Sequence, residues 1–161
     1  MRMRTLTINA IVAALYIAVS FIIQPIAYSN IQFRIPEMFN HLIVFNKKYF
    51  YGIILGVFLA NLFFSPMREF DIIFGVAQSA IALSITIVLS RIIKDIWIRM
   101  VANTIAFTVT MFIIALELNL AFHLPLMLTW MSTAIGEFAV MIIGAPIIYI
   151  INKRIKFETF V

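Results

Sequence analysis

The sequence predicts an all-α integral membrane bundle of six helices, the second of them short, with both termini cytoplasmic. Three observations carry this. The chain of 161 residues is 64% hydrophobic and only 12% charged, with a mean hydropathy of +1.09, whereas soluble domains are roughly half apolar and a quarter charged. Runs long enough to cross a bilayer, which takes about 20 residues, recur along the chain. The basic residues gather between alternate runs, as the positive-inside rule requires.

The elements follow in order. The first run, residues 5–24, is too long for a signal-peptide core and shows no evident cleavage site, so it reads as a retained span. Residues 36–46 are apolar but short, and they contain Asn40, His41 and Asn46. Polar groups at membrane depth survive when shielded by protein, so this stretch reads as a short helix enclosed by its neighbours. Four further spans are predicted at about 49–65, 72–91, 99–118 and 126–151, with Pro25, Pro36, Pro66 and Pro125 marking outer helix ends. With six helices, Arg2, Arg4, Lys47, Lys48, Arg91, Lys94, Arg99, Lys153, Arg154 and Lys156 lie inside, and only Arg34 and Arg68 outside. Five spans with an external N-terminus sort the charges nearly as well, but Arg2 and Arg4 beside the first span favour six. Residues 1–161 read as one domain. The net charge of +5 follows this topology, so it implies no nucleic-acid partner, and the lack of cysteine excludes disulfides and thiolate chemistry.

Polar residues of the outer half form the candidate site: Gln32, Arg34, Glu37, Asn61, Asp71, Gln78, Asn103, Glu117, Asn119 and Glu137. A charge within the membrane costs a few kcal/mol, so it faces protein or a wet cavity and marks function by default. Arg34 with Glu37, and Arg68 with Asp71, have the spacing of helix neighbours and can pair locally. Glu117 and Glu137 have no basic neighbour in sequence. Trp130 opens the last helix and can stack on a planar ligand, while Trp97, Tyr28 and Tyr149 suit the membrane interface. His41 and His123 form no metal motif, and there is no phosphate-binding loop, so the chain does not itself use ATP through one. No nucleophile–base set is legible, which argues against an enzyme.

Small residues recur every four positions at Ala10, Ala14 and Ala18, and again at Gly52, Gly56 and Ala60. Such ridges let helices approach closely. The alanine ridge is the better candidate for docking a separate membrane protein.

The order of these pieces resembles the QueT-type substrate-specific subunits of energy-coupling factor transporters. The matching stretches are AIVAALYIA (10–18), IQFRIPE (31–37), GIILGVFLANLF (52–63), DIIFG (71–75), ALELN (115–119) and GEFAVMIIGAPIIY (136–149), with IQFRIPE the most specific. The resemblance implies a multi-pass protein of the bacterial plasma membrane with a ligand site near the outer face. It also implies a transmembrane scaffold partner and two cytoplasmic ATPases that hydrolyse the ATP, with no cofactor of its own. The ligand it implies is a queuosine precursor, a 7-deazaguanine such as preQ1, preQ0 or queuine. Such a base offers N1–H and a 2-amino group beside an O6 acceptor. A carboxylate matches the two donors, an amide can serve the acceptor, and an aminomethyl cation calls for a second carboxylate. On this reading Glu137, Glu117, Asn61, Asp71, Gln78, Asn103, Arg34, Glu37 and Trp130 face the ligand. Arg34 and Glu37 can instead brace the gate loop, and Ala10, Ala14 and Ala18 dock the scaffold. Two alternatives are a subunit for another vitamin or heterocycle, and a stand-alone transporter driven by protons through Glu137.

Overall fold

A computed structural model describes residues 3–27 and 33–159. Its α-helices are α1 (Met3–Ala27), α2 (Leu42–Phe45), α3 (Phe50–Phe64), α4 (Arg68–Leu89), α5 (Ile96–Phe122) and α6 (Leu126–Ile155). Among the described residues, five helical segments are long and apolar enough to cross a membrane, those built on α1, α3, α4, α5 and α6. The protein is therefore an all-α membrane-spanning bundle.

The expected short second helix takes another form. Residues Ile35–His41 are a 3-10 helix, α2 adds four residues, and Lys47–Tyr49 is again 3-10. The change has a geometric benefit. Seven 3-10 residues rise about 14 Å, where an α-helix of the same length rises about 10.5 Å. Asn46 breaks the segment in an extended conformation, and its side chain caps the next turn by accepting from the Lys48 amide at 3.1 Å. The whole stretch returns the chain from the Arg34 end of the bundle to the end bearing Lys47 and Lys48.

Both described chain ends lie at that basic end. The Tyr49 hydroxyl donates to the Phe157 carbonyl at 3.0 Å, and Asn9 Oδ1 accepts from the Gly52 amide at 2.7 Å. Consecutive long helices pack in pairs, α1 on α3, α3 on α4, α4 on α5 and α5 on α6, while the 3-10 helix lies against α6 and α1. Close approach needs glycine at two crossings. A Cβ on Gly56 would stand 2.7 Å from Tyr16 Cβ, and one on Gly144 would stand 2.5 Å from Met38 Cβ. The Gly52 and Gly56 ridge thus packs inside the bundle against α1.

Helix α6 has 30 residues, so it is about 45 Å long and reaches through both interfacial layers. It runs past the expected boundary at 151 because hydropathy registers only the hydrocarbon core. Helix α1 likewise continues past Pro25 to Ala27. Tyr28, Ser29 and Gln32 lie outside the described residues.

Candidate functional site

At the end of the bundle opposite the lysines, four carboxylates gather around one guanidinium. Glu37, Asp71, Glu117 and Glu137 are each at most 3% exposed, and Arg34 is 8% exposed. They come from the 3-10 helix, α4, α5 and α6, so all the main walls of this end contribute. Asp71 is held by three residues. Its Oδ1 accepts from Arg34 Nη2 at 2.9 Å, its Oδ2 accepts from the Ser65 hydroxyl, and its backbone carbonyl accepts from Asn61 Nδ2 at 2.9 Å.

This corrects the local pairing expected from spacing. Among the described residues, the ion pair of Arg34 is with Asp71, 37 positions away, and not with Glu37. Arg34 precedes the 3-10 helix with φ −90° and ψ 84°, so helix-neighbour geometry does not apply to it. Arg68 is exposed while Asp71 points inward, so that pair does not form either. Glu37 instead accepts from the Tyr16 hydroxyl at 2.7 Å through Oε1 and from Asn40 Nδ2 through Oε2.

The cluster has two sides. Glu37 and Glu137 interact electrostatically with each other and with Arg34. Glu117 interacts with Asp71 and with Arg34. Arg34 therefore stands between a Glu37–Glu137 side and an Asp71–Glu117 side.

Several buried polar atoms here have no partner. Among the described residues, neither oxygen of Glu117 has a hydrogen-bond donor, nor does Glu137 Oε1 or Asn40 Oδ1. Trp130 Nε1–H lacks an acceptor. Its ring stands edge-on to Phe112 at 5.6 Å and packs beside the buried Met111, Ile114 and Leu118 of α5. Buried polar groups are nearly always paired, so such a concentration of unpaired ones needs an explanation. The 290 Å³ groove between Thr108, Trp130, Met131, Ala134, Ile135 and Phe138 is a different feature. Met131, Ile135 and Phe138 are exposed, and the groove belongs to the outer surface of the bundle.

Of the residues expected at the site, Arg34, Glu37, Asn61, Asp71, Glu117 and Glu137 come together. Gln78 and Asn103 stand apart. Gln78 donates to the Thr110 hydroxyl at 3.0 Å, one α4 stretch of about 10 Å from Asp71. Asn103 is about 21 Å along α5 from Glu117 and bonds His41 and Thr86. Ala10, Ala14 and Ala18 are exposed on the outer face of α1, while Ala13 and Tyr16 of the same helix are buried. Tyr16, Asn40 and Ser65 belong to the cluster and were not among the site residues expected from sequence, although Asn40 stood out as a polar group in the short apolar stretch. Tyr16 left a signal, because a tyrosine within an apolar span must find a partner for its hydroxyl.

A family model described as QueT transporter matches residues 6–153. The chain belongs to the QueT family. Among its relatives is the "Queuosine precursor transporter QueT" of Lactococcus lactis subsp. cremoris (strain MG1363), 37% identical over 155 residues that cover 91% of this chain and 90% of the relative. No solved structure matches the chain. QueT proteins are transporters, not enzymes, and the membrane-spanning bundle accords with that. The QueT match extends over every element that contributes to the carboxylate cluster.

Proposed function

We propose that this chain is the substrate-binding membrane subunit of an energy-coupling factor importer and captures a 7-deazaguanine queuosine precursor. The observation that carries this reading is the set of unpaired buried carboxylate oxygens at one end of the bundle. Glu117 has two free acceptors side by side, the arrangement that matches N1–H and the 2-amino group of a guanine-like edge. Trp130 Nε1–H is available for the O6 side. Arg34, paired with Asp71, holds the start of the 3-10 helix at the site. This end faces outward and both termini are cytoplasmic, because the opposite end carries Lys47, Lys48, Arg91, Lys94, Arg99, Lys153 and Arg154. The lipid-facing row Ala10, Ala14 and Ala18 suits close docking of a transmembrane scaffold subunit, whose ATPases supply the energy.

The test is mass spectrometry of small molecules released from the purified protein, followed by calorimetric titration with the compound found. A 7-deazaguanine is the expected result. Release of an unrelated vitamin, with no binding of 7-deazaguanines, would reject the ligand. Uptake that persists without ATPases and collapses with an uncoupler would reject the subunit role. Ala14→Trp separates docking from binding: the isolated variant should bind normally while ATP-dependent uptake and co-purification of the scaffold are lost.

A further inference from the structure

Charge balance at the site carries a choice among precursors. Among the described residues, four buried carboxylates surround a single buried arginine, Arg34, which is already matched to Asp71 at 2.9 Å. A neutral base can satisfy carboxylate oxygens with N–H donors, but a cationic group adds a charge-assisted bond that a neutral one cannot. Burying carboxylates without compensation is costly, so the bound state gains if the ligand brings positive charge.

The unpaired atoms also show where that charge fits. On the Glu37–Glu137 side, Glu137 Oε1 and Asn40 Oδ1 are both buried and both unpaired. The orientation of the Asn40 amide follows from its partner. Its Nδ2 donates to the Glu37 carboxylate, which can only accept, so the oxygen is the end left over. Two free acceptors beside the Glu37 carboxylate make a receptor for a group with three N–H donors and a positive charge. That group is a primary ammonium. On the other side of Arg34, Glu117 presents its two oxygens and no donor. The cluster is thus divided into an ammonium receptor and a receptor for an edge with two adjacent donors.

We infer that the site selects amine-bearing 7-deazaguanines, with Glu37, Asn40 and Glu137 receiving the side-chain ammonium and Glu117 receiving the pyrimidine edge. This rests on the reading of the ligand as a 7-deazaguanine. It excludes the nitrile-bearing congener as a preferred ligand, because a nitrile has no donor and no charge. Asn40 enters as a specificity residue that the sequence does not announce.

The experiment compares 7-aminomethyl-7-deazaguanine with 7-cyano-7-deazaguanine in calorimetric titrations of the purified, unaltered protein. The rings are the same and only the side group differs. The amine should bind more tightly by on the order of 10- to 100-fold, the worth of charge-assisted hydrogen bonds in a buried setting. In Glu137→Gln the amine should lose most of that advantage, while the nitrile changes by less than about threefold. Asn40→Leu should narrow the ratio in the same direction. Equal affinities in the unaltered protein overturn the inference and leave the 7-deazaguanine reading standing. Binding of neither compound overturns both. A variant that fails to fold leaves the comparison of the two ligands on the unaltered protein decisive.

Discussion

Two buried polar clusters occupy opposite halves of the bundle, and they differ in completeness. Near the basic end, His41 is fully buried and both ring nitrogens are used. Its Nε2 lies 2.9 Å from the Met141 carbonyl, and its Nδ1 lies 3.2 Å from Asn103 Nδ2. A carbonyl only accepts, so Nε2 carries the proton and Nδ1 accepts from Asn103. The Thr86 hydroxyl then donates to Asn103 Oδ1 at 2.7 Å. This chain of bonds ties the 3-10 helix, α4, α5 and α6 together. At the other end the carboxylate cluster leaves Glu117, Glu137, Asn40 and Trp130 with unused polar atoms. A completed network rigidifies a fold, whereas an incomplete one keeps interactions in reserve for something else. The same 3-10 helix carries Glu37 and Asn40 into one cluster and His41 into the other. The 3-10 helix therefore links the two clusters directly.

The largest expected effect comes from unpairing the Arg34–Asp71 ion pair in the incomplete cluster. Arg34→Leu leaves Asp71 buried without its cation, which should cost about 3–5 kcal/mol of stability and abolish ligand binding. Arg34→Leu combined with Asp71→Leu should be more stable than Arg34→Leu alone, since replacing both partners removes the stranded charge. Unfolding midpoints of the three variants provide the check. If Arg34→Leu unfolds like the parent protein, the pair is not holding the start of the 3-10 helix.

The next two substitutions should move stability and binding in opposite ways. Asn103→Leu removes partners from both His41 and Thr86, so stability should fall by about 1–3 kcal/mol. Its ligand affinity should stay within about threefold, because the site lies elsewhere. Glu117→Gln replaces a buried carboxyl whose oxygens have no donor in the free protein. Stability should hold or rise, while affinity falls by about 1.5–3 kcal/mol. The two variants are to be measured side by side, by thermal unfolding and by calorimetry. If Asn103→Leu weakens binding as much as Glu117→Gln does, the clusters are one functional unit and the comparison fails.

Much of this was readable before any coordinates. Apolar runs and the basic segregation carry the spans because lipid accepts little else, and Glu117 and Glu137 stand out because carboxylates there are expensive. The partners were not readable. Spacing proposes Arg34 with Glu37, but the pair forms between Arg34 and Asp71 across the bundle. Helix-neighbour rules assume an α-helix, and the segment after Arg34 is 3-10. Asn103 looked like part of the site because polarity reports burial and not depth. Its place on α5, seven residues from the helix start, fixes it in the other half. Tyr16 was hidden because it reads as aromatic packing, and Asn40 because it reads as one of several shielded polar groups in a short helix.

Gln78 lies between the clusters and marks where the completed half ends. Its Nε2 donates to the Thr110 hydroxyl at 3.0 Å, and its Oε1 accepts from the Ser79 hydroxyl at 3.2 Å. Both ends of the amide are therefore engaged, as in the His41 network and unlike Glu117. The Thr110 hydroxyl also reaches the Ala106 carbonyl at 2.8 Å, so it keeps an acceptor when Gln78 is removed. Ser79 alone loses its partner. Gln78→Met keeps the length of the side chain and deletes these two bonds, so it should cost no more than about 1 kcal/mol of stability. If the site stops at Asp71 and Glu117, ligand affinity should change by less than about threefold. A drop of tenfold or more in calorimetric affinity, with the unfolding midpoint preserved, would extend the ligand site down α4 to Gln78. It would also show that a fully bonded amide in this bundle can still serve the ligand, which would remove the distinction between the two clusters.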